Sequence, residues 1–478
     1  MEVLSKNLQE NLDEFKRLLP AEDVLNFEFL TGDGTKCVAV FIDGITDKAL
    51  LGELVAKPLG MYEGKATFDE IKKRLASPEN KEENKLSALQ EEVLDGNDVL
   101  LVDGCERALV LGLKTVPVRA ITEPPTDIAI KGPRAGFVED LKTNMALLRT
   151  RLKTPDLLFE SLTLGKQSAT NVALCYIKGI AKEDVVDEVQ RVLNKIEVDG
   201  VCDSSYISLF LAKRRHSLFK QSGTCEKPDI LAAKMLEGRV GILMDGSPIA
   251  LSVPYLIVED FQSSEDYFVS PYRATFSRFI RAPSLILAIY LPAFYVAAQL
   301  FKLQLLPIGL LLTIASSIQG LPLSPSMEMF LTLLALEVIT EASVRMPKYV
   351  GTALSVVAAL VLGDTAVNAG FLSTTAILIV ALSGICLYTV PNLVESNSLI
   401  RMLMLLAAGS VGTYGIILLT AFILYYLFSA ESYSSPLLAP FAPVVKRDLK
   451  DALVKFNTEQ LPRRPVVVRG ENQTRLKQ

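Results

Sequence analysis

The chain has 478 residues, of which 50% are hydrophobic and 22% charged, and its formal net charge is −5 at pH 7. This acidic balance lacks the concentrated positive charge that binding to phosphates requires, so we expect no nucleic acid as a partner. The apolar content is too high for a disordered chain and indicates that part of the protein lies in a lipid bilayer.

Histidine and cysteine usage argues against a catalytic or metal centre. The single histidine, His216, stands in a polar run, and the six cysteines form no C-x-x-C pair. Zinc sites and redox motifs therefore lack their ligands, and a nucleophile activated by histidine would depend on His216 alone. We expect no enzyme activity, no metal and no cofactor. Scattered reduced cysteines and an N-terminus without an apolar signal region favour a cytoplasmic soluble part.

The first half of the chain contains a repeated pattern. Residues 38–45 and 172–180 are apolar runs that end near a glycine and predict buried strands. Residues 183–196 follow the second run and predict a helix with one apolar face. Residues 98–113 and 239–256 each predict a hairpin with an Asp-Gly turn.

The order of these elements predicts two similar α/β subdomains, at 1–150 and 151–281. The alternative is that unrelated strands share Asp-Gly turns by chance. Between the predicted strands, the charged run 78–85 predicts a solvated loop. The loop Gly132 to Gly136 contains two glycines and an arginine but lacks the spacing of a phosphate-binding loop, so we expect a structural turn there.

Residues 282–430 are almost free of charge and predict an α-helical, polytopic membrane domain, followed by a basic tail at 431–478. The charged residues of this block are Lys302, Glu328, Glu337, Glu341, Arg345, Lys348, Asp364, Glu395 and Arg401. The predicted fold is thus an α/β cytoplasmic region of two similar subdomains followed by this membrane domain.

Three apolar stretches, 282–301, 365–394 and 402–430, are long enough to cross a bilayer. Weaker candidates are 327–345, 349–363 and the re-entrant or interfacial run 305–320. Arginines precede the first span and the basic tail follows the last, which predicts cytoplasmic ends and an even number of crossings. We prefer four crossings, with six as the alternative, although Arg401 fits four poorly.

Glu337, Glu341 and Arg345 recur at four-residue spacing and predict a polar stripe on one helix face, with an ion pair between Glu341 and Arg345. Because charge at membrane depth is costly, such a stripe favours an ion path, a gate or a contact between subunits. The alternative is a helix near the interface, with Arg345 and Lys348 reaching the headgroups.

The next segment predicts a packing face of small residues, within one chain or between protomers. Its members are Gly351, Ser355, Ala359 and Gly363. Asp364 follows, and it either lines a pathway or caps the next helix. Pro292 and Pro391 predict kinks in or at the end of spans.

Several runs together resemble the A subunits of bacterial spore germinant receptors, the GerA family. The first runs from Glu123-Pro124 through Gly132, Pro133, Arg134 and Asn144 to Arg151. The others include Glu237 to Pro248, Glu337 to Pro347, Leu362 to Val367, Thr389 to Pro391 and Leu438 to Asp451. Lys131 stands where the family pattern usually has arginine. Thr340 stands where an arginine often precedes the second glutamate, so the polar stripe has less positive charge here.

The resemblance implies a multi-pass subunit in the inner membrane of an endospore, with its soluble domains on the cytoplasmic side. It also implies a transporter-like B subunit and a lipoprotein C subunit as partners, and a homo-oligomer that conducts ions in response to nutrients. The alternatives are a paralogous sporulation membrane protein that modulates ion release and a secondary transporter. Inverted membrane repeats would favour the transporter, and the sequence shows none.

Overall fold

The structure is a computed structural model, and it describes residues 3–475 except 63, 65, 66, 76–79, 116–130 and 215. The chain divides into two units. The first comprises Met1–Leu256, Glu431–Ser435 and Asn457–Gln478, and the second comprises Ile257–Ala430 and Pro436–Phe456. We call them the sheet unit and the helical unit.

The sheet unit contains two five-stranded antiparallel sheets. The strands are β1 Val24–Leu30, β2 Lys36–Ile42, β3 Asn80–Glu83, β4 Asp98–Val102, β5 Ala108–Leu111, β6 Leu157–Leu164, β7 Thr170–Ile177, β8 Gly223–Cys225, β9 Val240–Met244 and β10 Ala250–Val253. The first sheet has the order β1-β2-β4-β5-β3 and the second β6-β7-β9-β10-β8. The orders correspond strand by strand, which confirms the predicted duplication.

Helices cover both faces of each sheet, which explains why β2 and β7 read as continuous apolar runs. The longer helices of this unit are α1 Leu8–Leu18, α2 Phe68–Arg74, α3 Leu86–Leu94, α4 Leu141–Arg151, α5 Glu183–Asn194, α6 Ser204–Leu211 and α7 Pro228–Glu237. Short helical pieces Lys48–Leu50, Leu51–Ala56 and Lys57–Gly60 follow β2. Along β7, Val172 and Leu174 pack in the core that contains α5 residues, while Ala173 and Cys175 pack in the core that contains α4 and α7 residues.

The two predicted Asp-Gly hairpins are confirmed as β4–β5 and β9–β10. Gly104 and Gly246 have φ values of +79° and +82°, a conformation that side chains with a Cβ rarely adopt. The prediction of a loop at 78–85 is wrong for Asn80–Glu83, because these residues form β3, paired with β5 at the edge of the sheet. Charged side chains suit an edge strand, since they discourage pairing with another chain.

The helical unit is built from seven longer helices. They are α8 Pro271–Phe301, α9 Ile308–Ile318, α10 Pro325–Arg345, α11 Lys348–Leu360, α12 Thr374–Leu387, α13 Val394–Val411 and α14 Thr413–Phe428. A π-helical turn Val361–Thr365 and a short helix Ala366–Asn368 continue α11. Tyr295 on α8, Met329 and Leu333 on α10, Val380 on α12 and Leu405 on α13 share one apolar core.

The predicted spans 365–394 and 402–430 are not single helices. Gly370 and Gly412 have φ values of +67° and +70° and end helices inside these stretches, because this conformation cannot continue a helix. In the part of the chain that the structure describes, only α8 is long and apolar enough by itself to cross a membrane. The pair α12 and α13, bent by 109° near Pro391, gives a second crossing if it counts as one broken span.

The division into units differs from the predicted boundaries at 281 and 431. Residue 281 lies inside α8, where Arg278 is fully buried and pairs with Asp266 at 3.0 Å and Asp451 at 3.1 Å. Asp451 belongs to the predicted tail, so part of the tail packs in the helical unit. The end of the chain packs in the sheet unit instead, where Arg464 donates to the carbonyl of Leu236.

Candidate functional site

The charges of α10 do not form one stripe. Glu337 turns towards α13, where Arg401 Nη2 lies 2.5 Å from Glu337 Oε1. The Arg401 side chain is only 2% exposed and that of Glu337 is 31% exposed. Burying a guanidinium among apolar helices is tolerable only when it is paired, so Glu337 and Arg401 stabilise each other.

Hydroxyl groups complete this network across four helices. Arg401 Nη1 donates to Ser383 Oγ on α12 at 3.0 Å, and that hydroxyl donates to the carbonyl of Ala288 on α8 at 2.7 Å. The hydroxyl of Ser398 donates to Glu337. The network therefore ties α8, α10, α12 and α13 together at one level. The sequence analysis did not predict this network, although the scarcity of charged residues between 282 and 430 indicated that opposite charges must pair there.

Glu341 and Arg345 form the intrahelical ion pair that their spacing indicates, with 2.5 Å between Arg345 Nη2 and Glu341 Oε1. Both side chains are largely exposed, at 65% and 78%. Of the three predicted residues, Glu337 thus contacts a buried arginine of another helix, whereas Glu341 and Arg345 form an exposed pair on α10. The side chain of Lys348 lies outside the described residues.

The row of small residues on α11 packs inside the chain only at its start. A Cβ on Gly351 would lie 3.3 Å from the carbonyl oxygen of Ser343 on α10, so the two helices approach closely there. Ala359 and Gly363 are exposed, and the side chain of Ser355 lies outside the described residues. Ala359 and Gly363 therefore lie on the surface of the helical unit.

Asp364 lies in the π-helical turn after α11 and is exposed. Its carboxylate accepts a hydrogen bond from Asn368 Nδ2 at 2.9 Å. The short helix that follows begins after Thr365 and has no side-chain cap, so the predicted capping role of Asp364 is wrong. Pro292 lies within α8 without ending it, whereas Pro391 follows the break between α12 and α13.

The loop at Gly132, Pro133 and Arg134 has a structural role, as expected. The carbonyl of Pro133 accepts from the buried Lys227 Nζ at 3.2 Å. Asn144 on α4 is buried, and its side chain donates to and accepts from the backbone of Val138. These bonds connect the loop and the residues after it to α4 and to the start of α7.

A second buried pair, Asp23 and Arg149, joins the two halves of the sheet unit. Arg149 Nη2 and Nε donate to the two oxygens of Asp23 at 2.7 and 2.9 Å, and both side chains are 1% exposed. Arg149 also donates to the carbonyls of Thr154 and Leu157. A bidentate contact of this kind requires a guanidinium.

The sequence of the chain is similar to those of several known proteins. The sequence matches the family described as Bacillus/Clostridium GerA spore germination protein over residues 8–467. Spore germination protein KA of Bacillus subtilis (strain 168) is 34% identical over 482 residues, which cover 99% of this chain and 89% of that protein. The uncharacterized membrane protein YfkQ of the same organism is 33% identical, over 97% of this chain and 91% of that protein.

Among solved structures, the chain is similar to the N-terminal domain of the A subunit of the Bacillus megaterium spore germinant receptor GerK3. The identity is 26%, over 53% of this chain and 97% of that chain, and the TM-score is 0.40. The match to the family described above, in contrast, runs through both the sheet unit and the helical unit.

Proposed function

The chain belongs to the GerA family of spore germination proteins, and on that premise we propose that it is the A subunit of a nutrient-sensing germinant receptor in the inner membrane of a bacterial endospore. In this proposal several copies form an ion-conducting channel and the chain is not an enzyme. Its partners are the bilayer, a transporter-like B subunit and a lipoprotein C subunit, and its sheets lie on the cytoplasmic side.

Exposed apolar side chains on the helical unit support a bilayer environment. On α14, Leu418, Phe422 and Tyr425 are exposed, and on α12 so are Leu378 and Ile385. Large apolar patches are rare on soluble monomers and favour contact with lipid or protein. The name of the relative YfkQ, a membrane protein, points the same way.

The observation that carries the channel proposal is the exposed Glu341–Arg345 pair on α10. At membrane depth such charges are costly unless they face water or protein. Assembly of several copies with these residues inwards would provide a polar passage. Ala359 on α11 and Gly363 in the π-helical turn that follows are exposed and small enough for close contact between copies.

The mechanism that we propose is a population shift. A nutrient bound by another subunit favours one of two arrangements of the helices, and α10 moves relative to the small-residue face of α11. The Glu337–Arg401 pair anchors α10 at its middle, so movement is concentrated in the turns that carry Glu341 and Arg345.

A second candidate function is supported by the similarity to YfkQ, whose name assigns it to the membrane and not to germination. In that candidate the chain modulates ion release without serving as a nutrient receptor. A transporter-like B subunit that co-purifies with the chain would favour the receptor, and its absence from a purified intact assembly would favour the modulator.

The test is germination of spores in which this chain carries Glu341→Ala. We expect nutrient-triggered release of ions and dipicolinate to change, while immunoblots show normal amounts of the protein. Glu395→Ala, at another exposed glutamate of the helical unit, is the matched control. Unchanged germination in the Glu341→Ala spores at normal protein levels would contradict the proposed gating role.

A further inference from the structure

A cluster of buried polar side chains lies where α8 ends and where α10 and α12 begin. Glu328 is in the first turns of α10, and Tyr295 and Gln299 are one helical turn apart on α8. Glu328 is 1% exposed, Tyr295 7% and Gln299 8%. None of these residues belongs to the network around Arg401.

Glu328 differs in its contacts from Glu337, which pairs with Arg401. Its Oε1 accepts the backbone N–H of Ser373, whose own hydroxyl oxygen caps α12 by accepting from the N–H of Ala376 at 3.1 Å. Among the residues that the structure describes, no lysine or arginine forms an ion pair with Glu328. A carboxylate that is buried without a cationic side chain favours a bound cation.

The polar groups near Glu328 also point to a bound ligand. The hydroxyl of Tyr295 lies near Glu328 and near the side chains of Gln299, Ser373 and Thr375. Nevertheless, that hydroxyl and both polar atoms of the Gln299 amide have no hydrogen-bond partner among the described residues. Each such buried group costs about 1–3 kcal/mol, so the unpartnered oxygen atoms of Tyr295 and Gln299, in one cluster with the unpaired Glu328 carboxylate, point to a ligand.

We propose that Glu328, Tyr295 and Gln299 form a binding site for a monovalent cation such as K⁺ or Na⁺. Carboxylate, phenol, hydroxyl and amide oxygens are hard ligands that suit such ions. One carboxylate balances one positive charge. In the described parts of the chain no three His, Cys, Asp or Glu side chains are grouped to hold a metal ion, so a singly charged ion fits better than a divalent one.

The site would hold three helices together. A bound cation contacts α8 through Tyr295 and Gln299 and α10 through Glu328, and Glu328 already contacts the start of α12. This role does not depend on conduction through the protein. A purified chain that binds the cation but carries no current would contradict the channel proposal alone, and a conducting chain that binds no cation here would contradict this inference alone.

The test uses the full chain purified in detergent. The midpoint of thermal unfolding is measured by circular dichroism in KCl, in NaCl and in choline chloride at equal ionic strength. We expect KCl or NaCl to raise the midpoint by about 5 °C over choline chloride, because a ligand that binds only the folded state stabilises it. Binding of ⁸⁶Rb⁺ to the same protein gives a direct measurement, with about one ion expected per chain.

Glu328→Gln and Tyr295→Phe should each reduce ⁸⁶Rb⁺ binding at least tenfold and remove the difference between the salts. Tyr295→Phe deletes only one hydroxyl, so it tests the site even if Glu328→Gln fails to fold. Glu395→Gln, at an exposed carboxylate outside both this cluster and the Glu341–Arg345 pair, should leave binding unchanged. The proposal is overturned if the wild-type chain binds no ⁸⁶Rb⁺ and the salts give one midpoint, or if both site variants bind as the wild type does.

Discussion

Arg401 on α13 and Glu337 on α10 are 64 residues apart in the chain and form a buried ion pair in the helical unit. The guanidinium reaches a third helix through Ser383 and, through that hydroxyl, a fourth at the carbonyl of Ala288. These contacts compensate the cost of keeping a full charge in an apolar bundle. The pair therefore fixes the position of α10, on which the proposed gate depends.

Arg401→Gln should destabilise the helical unit by about 3–5 kcal/mol, because it leaves the Glu337 carboxylate partly buried without its cation. The double variant with Glu337→Gln should recover much of this loss, since no charge is then left unpaired. Thermal unfolding of the full chain in detergent measures both.

Arg345→Gln is the matched control for this prediction. It breaks an exposed pair, so the expected cost is below about 1 kcal/mol. Equal small losses for Arg401→Gln and Arg345→Gln would contradict the anchoring role of Arg401.

Arg149→Lys should weaken the contact between the two halves of the sheet unit. A lysine ammonium cannot reproduce the two parallel bonds to Asp23 together with those to Thr154 and Leu157, so we expect a loss of about 2–4 kcal/mol. Hydrogen exchange of β1 and β6 in the full chain should become faster. Lys153→Gln breaks the exposed Lys153–Asp95 pair and should change neither strand. Wild-type exchange in Arg149→Lys would refute the prediction.

Substitutions along α11 should separate packing within the chain from packing between copies. Gly351→Leu places atoms against the carbonyl of Ser343, so it should lower the stability of the chain itself. Ala359→Leu lies on an exposed surface and should leave stability unchanged but reduce association, measured by cross-linking and light scattering. An Ala359→Leu chain that associates normally would remove α11 from the proposed contact between copies.

Burial raises the pKa of Asp98 to about 7, although the Thr46 hydroxyl, which donates to its Oδ1 at 2.5 Å, acts in the opposite direction. The unfolded chain loses this proton near the ordinary aspartate pKa of 3.8, so between about pH 4 and 7 the folded state binds the proton more tightly. The contribution of Asp98 to stability is therefore lost as the pH rises through this window.

Hydrogen exchange of β4 in the full chain, corrected for intrinsic rates, should report less protection at pH 7.5 than at pH 5.5. Asp98→Asn keeps a neutral side chain at all pH values and should remove that difference. A wild-type β4 with equal protection at both pH values would show that Asp98 does not titrate in this range.

The sequence predicted the sheet unit well because its signals are local. Asp-Gly turns and continuous apolar runs in β2, β4, β7 and β9 indicate the strands and the two hairpins. The edge strand β3 was not predicted, because an edge strand can contain the charged residues that ordinarily indicate a loop.

The helical unit was harder to predict because apolar composition does not reveal where a helix breaks. Gly370 and Gly412 divide stretches that hydropathy alone joins. The partner of Glu337 was also hidden, since helical spacing relates Glu337 only to Glu341 on its own helix. The scarcity of charge between 282 and 430 nevertheless required such pairing, and Arg401 was the buried cation that supplied it.

The central claim is that copies of this chain conduct ions past the end of α10 that carries Glu341. The most direct measurement is the conductance of the purified oligomer in a planar bilayer, for the wild type and for Glu341→Ala at equal oligomer content. The account predicts discrete currents for the wild type and an altered open probability or unitary conductance for the variant. No current from an intact wild-type oligomer, or identical currents from the two proteins, would contradict it.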